Sequence, residues 1–188
     1  MTELGPDGRR RPAGRRPGYV VVDYIEPAGS NLGAAGFDVA SDPVRRAALE
    51  SARDTGLPVA TGRVTLIQDV ALPRGLLVFM PIYANDRPHE TLDQRRAALR
   101  GYAVGVFRID EIVAAAVRRL DHSGIELRVR DASVGSAGSG LLCVYRGEGR
   151  CDDGPELAAP VRGGLAWSTG FELAGRSWSL EFAATEEY

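Results

Sequence analysis

The stretch NLGAAGFDVASDPVRRAALESARDTG, residues 31–56, decides how the rest of the chain is read. Its second half has the marks of a helix. Ser41 or Asp42 can cap it, Pro43 suits the first turn, Val44, Ala47, Ala48 and Ala52 recur at helical spacing, and Gly56 stops it. Arg45, Arg46, Glu50, Arg53 and Asp54 then read as its solvated face. The first half poses a harder question. Asp38 stands among Gly36, Phe37, Val39 and Ala40, where an ionised carboxylate is costly to bury. Either it sits in an Asx turn at a strand end and faces water, or it lines a pocket wall. There a carboxylate accepts N–H groups of a bound molecule through strong, directional bonds.

Outward from this segment the pattern is mostly strands. YVVVDYIEP before it reads as a strand stopped by Pro27, and Val59 to Leu66 after it as another. GLLVFMPIY, residues 75–83, is a continuous apolar run that reads as a buried strand. A polar loop and a charged helical turn, TLDQRRAAL, lead to the strand LRGYAVGVFRI, in which Gly101 and Gly105 suggest close approach of a ligand or another backbone. Phe79, Met80 and Tyr83 alternate faces along the 75–83 strand, and one face can line an apolar cavity with Tyr102 and Val104 opposite; ordinary core packing is the alternative. DEIVAAAVRRL reads as a helix capped by Asp110. IELRVRD and GLLCVYR read as strands, and LAWSTGFELAGRSWSLEFAA as a hairpin turning at Ala174–Gly175. This order fits an α+β fold with antiparallel sheets better than a doubly wound parallel one, with two lobes dividing near residues 121–124.

Composition narrows the function. The 188 residues hold 23 basic and 25 acidic side chains, a net charge of −2, which leaves no electrostatic footprint for nucleic acid. All the basic residues are arginine, which removes lysine chemistry and the lysine of a phosphate-binding loop. Residues 1–17, rich in Arg, Pro and Gly, read as a disordered lead-in rather than a secretory leader. No run of about 20 apolar residues is long enough to span a membrane. Cys143 and Cys151 lie eight apart across a Gly-containing turn; they are either a disulfide or two separate thiols. No second cysteine pair or histidine cluster marks a metal site, and no cofactor is indicated. His89 and His122 lie in no nucleophile motif, and the acidic residues are scattered singly.

VDYIEPAGSNLGAAGFDVASDPVRRAALESARDTG, then GLLVFMPIY, then RGYAVGVFRIDEIV, with GRSWSLEF at the close, resembles the CHASE domain over residues 18–185. That family is an extracytoplasmic sensory module of histidine kinases, nucleotide cyclases and cytokinin receptors. The resemblance implies two tandem PAS-like lobes, a membrane-distal one over 18–120 and a proximal one over 121–188. It also implies a stalk helix and flanking transmembrane helices, largely missing from this chain. The distal lobe holds the small-molecule pocket. Asp38 takes the position of the family's ligand-accepting aspartate, and Gly105 sits against the ligand. Phe37, Phe79, Met80, Tyr83 and Tyr102 complete the candidate site. Phe79 stands where the plant pattern is polar, which argues against a purine ligand. The implied protein is the non-enzymatic sensor of a bacterial receptor on the periplasmic or extracellular face, membrane-anchored and dimeric in the parent, monomeric as this piece. A hydrolase using His89 or His122, and an interaction module without a pocket, are the competing readings.

Overall fold

The computed structural model describes residues 1–67, 75–119, 124–134, 140–146, 151–152 and 165–184. The chain divides into two compact units: Met1–Pro73 with Leu77–Gly105, and Arg74–Leu76 with Val106–Tyr188. Among the described residues the fold is α+β, and every strand pairing with a defined register is antiparallel.

The first unit opens with a hairpin of β1 (Thr2–Leu4) and β2 (Arg10–Pro12), paired from Thr2↔Pro12 to Leu4↔Arg10. This corrects the expectation of a disordered lead-in. Composition averages hide the reason: Glu3 is buried and binds Arg11 and Arg16, so the segment's charges compensate one another locally. β1 also joins the main body, since Thr2 N donates to Gly36 O at 2.9 Å and Asp38 N to Thr2 O at 2.8 Å. YVVVDYIEP is not a strand. It runs beside residues 36–39 and forms a single bridge, Val21↔Asp38, with Val20 and Val22 bonded to Val39 and Phe37.

Helix α1 (Pro43–Thr55) forms as its signals dictate. Asp42 accepts from Arg45 N, Pro43 begins the first turn, and Gly56 closes the end with φ 78°, a left-handed value that favours glycine. Its buried side chains are Arg45, Ala48, Leu49 and Ala52, while Val44 and Ala47 are exposed. The core-facing stripe is thus shifted by one position from the Val44–Ala47 reading. Strand β3 (Val59–Ala60) is shorter than the expected 59–66 and pairs Val59↔Phe79 on β4 (Gly75–Tyr83). Side chains on β4 alternate: Leu77 and Phe79 are buried, Met80 and Ile82 exposed. The apolar run is therefore buried on one face only. Helix α2 (Leu92–Ala98) starts at a Thr91–Gln94 capping box and leads into β5 (Leu99–Arg108). Sheet order is β3-β4-β5. The core joins Phe37, Val39, Ala48, Leu49, Ala52, Val64, Leu66, Leu77 and Phe79, with Tyr102 packed against it.

The second unit carries a five-stranded sheet. Helix α3 (Ile109–Val117) buries Ile109, Val113 and Val117, and it packs on β7 (Leu141–Tyr145). Asp110, expected as its cap, lies in the first turn two residues after Arg108, which takes the cap position. With β6 (Ile125–Asp131), β8 (Cys151–Asp152), β9 (Ala166–Leu173) and β10 (Arg176–Ala184), the order is β8-β7-β6-β10-β9. The hairpin turns at Ala174 and Gly175, whose φ values of 49° and 71° are those of a two-residue primed turn matched to strand twist. The sequence reading placed the lobe boundary after residue 120, whereas the compact units part after Gly105.

Candidate ligand site

Asp38 is fully buried, at 0 % exposure. Gly36, at φ 72°, turns the chain out of the 3-10 helix Gly29–Ala34 and sets Phe37 and Asp38 between β1 on one side and Val21 on the other. Phe37 enters the core. The Asp38 carboxylate accepts Val20 N at 2.9 Å and Ala40 N at 3.1 Å on Oδ1. Its Oδ2 takes an ion pair from Arg16 Nη2, and Arg16 Nη1 binds Glu3 Oε2. A buried acid is thereby satisfied on both oxygens, as burial of charge demands. Arg16 is the outer part of this network. Its side chain is 31 % exposed, its guanidinium lies 4.7 Å from the Tyr19 ring, and it reaches in from the segment that follows β2. The bond from Arg16 holds the Glu3 carboxyl below the usual carboxylate range, against the upward pull of burial.

On the core side, Phe79 is fully buried and meets Tyr102 edge-on, with centroids 6.1 Å apart. Tyr102 donates its hydroxyl to Leu49 O at 3.0 Å, and burial pushes the phenol up to about 12. Arg45 lies beneath this apolar cluster, 2 % exposed, its guanidinium 5.4 Å from the Phe37 ring centroid. Nη2 donates to Thr65 O at 2.6 Å, whereas Nε and Nη1 are buried without a partner.

Of the residues expected in the site, Phe37, Phe79 and Tyr102 come together in one core, and Asp38 adjoins it through Phe37. Met80 lies on the opposite face of β4, 44 % exposed, because neighbouring strand residues point to opposite sides. Tyr83 is half-buried, donates to Arg53 O at 2.6 Å and stacks on His89 at 5.0 Å. Gly105 is half-buried on β5. At Gly101 an added Cβ would meet nothing within 4 Å, so no described backbone approaches that glycine closely. Arg16, Glu3 and Arg45 escaped the sequence reading. The first two were averaged into a polar lead-in. For Arg45 the signal was present, since 45, 48, 49 and 52 share one helical face.

The charged groups of the competing readings fall elsewhere. His89 is exposed, with Nδ1 3.3 Å from Arg87 O and no nucleophile among its described contacts. His122 lies outside the described residues. In the second unit Cys143 and Cys151 are joined as a disulfide between β7 and β8, with Cα atoms 4.9 Å apart. That unit also has a hollow of about 280 Å³ lined, among the described residues, mostly by apolar side chains that include Ile125, Leu165, Trp167 and Phe182. Among the described residues no group of three His, Cys, Asp or Glu can hold a metal, and no helix is long and apolar enough to cross a membrane.

Comparison with known proteins gives the class: a sensory domain of a signalling receptor. A family model described as the CHASE domain matches residues 1–141, well over half of the chain, and the chain belongs to that family. The match starts at residue 1, within the folded hairpin, and ends at 141, where the sequence resemblance had been drawn over 18–185. The chain is also similar to hybrid signal transduction histidine kinase A of Dictyostelium discoideum, at 24 % identity over 197 aligned residues. That alignment takes in 97 % of this chain and 9 % of the relative's length.

Proposed function

We propose that the chain is the ligand-binding module of a membrane-anchored receptor. On this reading the first unit takes up a small molecule beside Asp38, on the periplasmic or extracellular side. The bound state then biases a histidine kinase or nucleotide cyclase elsewhere in the parent protein, which acts as a dimer. A ligand shifts such an equilibrium only by its differential affinity for the two arrangements.

The observation that supports this reading is the Asp38 carboxylate. Oδ1 belongs to the frame, held by two backbone amides. Oδ2 belongs to whatever N–H donor reaches it, and here that donor is a part-exposed arginine from outside the core. A ligand N–H takes the same place when Arg16 withdraws. A thermal-shift screen of purines, amines and amidines against the wild type, Arg16→Ala and Asp38→Asn tests this. Stabilisation of the wild type or Arg16→Ala that is lost in Asp38→Asn is the expected result. The filled position beside Oδ2 favours a second reading, an interaction module in which Arg16 is a permanent strut. No response in any of the three proteins would establish that instead.

A further inference from the structure

We propose that Arg45 anchors a binding site for a small carboxylic acid in the core of the first unit. The inference rests on the reading of that unit as a ligand-binding lobe, and it names a ligand class for it through a group other than Asp38.

The argument begins with what a buried guanidinium needs. Arginine carries five N–H donors and no acceptor. In the interior each unpaired donor costs free energy, so such groups are rare and call for a reason. Arg45 is 2 % exposed and, among the described residues, its guanidinium has Thr65 O as its only hydrogen-bond acceptor, reached by Nη2. Nε, with one hydrogen, and Nη1, with two, have none. The neighbouring acid does not answer them: Asp42 Oδ1 accepts the backbone N–H of Arg45 in capping α1. The Phe37 ring receives the guanidinium at 5.4 Å and also that of Arg10 at 5.8 Å. Arg10 reaches the ring from the exposed side, whereas Arg45 lies buried and, among the described residues, forms no ion pair within 4.0 Å. Arg10 is supplied by Thr2 Oγ1 and Gly33 O, which leaves Arg45 as the group in want of an acceptor. Burial lowers the Arg45 guanidinium from its ordinary value, with Asp42 acting the other way.

The geometry selects the class. Thr65 O occupies one hydrogen of Nη2, which belongs to one two-donor edge of the guanidinium, so the other edge still presents two parallel N–H bonds. A carboxylate matches such an edge oxygen for hydrogen, and its charge cancels that of the arginine in a site from which water is excluded. The Phe37 ring beside the guanidinium belongs to an apolar cluster with Ala48, Leu49 and Val64, which suits a short apolar tail.

The test uses the whole chain and thermal shift, with propionate, pyruvate and benzoate as probes, propionamide and benzamide as uncharged controls, and sulfate as an inorganic anion. The expected result is a dose-dependent rise in Tm with at least one acid and none with its amide or with sulfate. Arg45→Met should abolish that response while leaving the unliganded Tm unchanged or higher, because it replaces an unpaired buried charge by an apolar side chain of similar length. Arg45→Lys, which keeps a charge but not the flat two-donor edge, should weaken the response about tenfold or more. A purely structural arginine would give the reverse: a large loss of Tm in Arg45→Met and no acid response in the wild type. Silence of the wild type toward all three acids overturns the proposal however the variants fold, and an equal response to sulfate overturns the carboxylate class. A response to nitrogen bases that depends on Asp38 would survive either failure, so the two readings fall separately.

Discussion

Replacing Asp38 by alanine should be among the most damaging single changes in the first unit, and the structure allows the cost to be built up. The carboxylate accepts two backbone N–H groups and one arginine. Each charge-assisted bond contributes roughly 1.5–3 kcal/mol. The Arg16 contribution must be discounted, because that side chain is 31 % exposed and keeps Glu3, so water and Glu3 replace most of what it loses. The amides of Val20 and Ala40 have no such substitute. The net cost is then about 3–5 kcal/mol, the range for removing one partner of a buried pair. In a chain of this size that corresponds to a fall in Tm of roughly 6–20 °C. Arg16→Ala should cost much less, since its departure admits water to Oδ2. Far-UV circular dichroism during urea unfolding is the assay, because Trp167 and Trp178 both lie in the second unit and their fluorescence reports on that unit. An Asp38→Ala variant within about 1 kcal/mol of wild type would refute the reasoning, for it would mean that the carboxylate is not the buried keystone described.

The disulfide closes a short loop, and cross-linking residues eight apart removes about 2–3 kcal/mol of unfolded-state entropy, so a reductant should lower the Tm of the second unit by that equivalent; an unchanged Trp fluorescence transition would contradict it. Tyr102 is raised from 10.0 to about 12 by burial, so its neutral form stabilises the fold fully below pH 10, and that contribution is lost as pH climbs from about 10 through about 12. Tyr102→Phe should flatten the alkaline decline in stability. At the acid end, burial works to raise Glu126, but the bonds from Arg128 and Arg146 outweigh it and leave the carboxyl below its ordinary 4.5. Its contribution is present above that value and fades as pH falls through the lower folded one, so Glu126→Gln should shrink the acid loss of stability seen by Trp fluorescence.

Local chemistry was legible in the sequence, and long-range pairing was not. Helix α1 could be read from Asp42, Pro43 and Gly56 because caps act within a few residues. The β9–β10 hairpin could be read from Ala174–Gly175 for the same reason. The joining of Asp38 to Arg16 spans 22 positions and follows no period, so an N-terminal segment that looks unstructured by composition carries the counter-ion of the most buried acid among the described residues. The error at Arg45 was of another kind. Charged residues were assigned to water by type, although Arg45 keeps helical register with Ala48, Leu49 and Ala52. Periodicity was the better guide there, because a long side chain on the inner face of a helix has nowhere else to go.

These two arginines change the meaning of the question posed by Asp38. A lone acid in apolar surroundings suggests a pocket waiting for donors, yet both of its oxygens are already satisfied. A ligand that brings N–H groups must displace Arg16 and compete with a tethered donor whose effective concentration is high. A ligand that brings a carboxylate displaces no hydrogen-bond partner, because Nε and Nη1 of Arg45 have none to give up. At equal intrinsic bond strength the acid therefore binds more tightly than the base, by the factor that the Arg16 contact favours the closed arrangement. Measuring both classes on the wild type and on Arg16→Ala isolates that factor. Base affinity should rise in the variant and acid affinity should not, and an equal rise in both would show that Arg16 governs access to the whole core rather than competition at one oxygen.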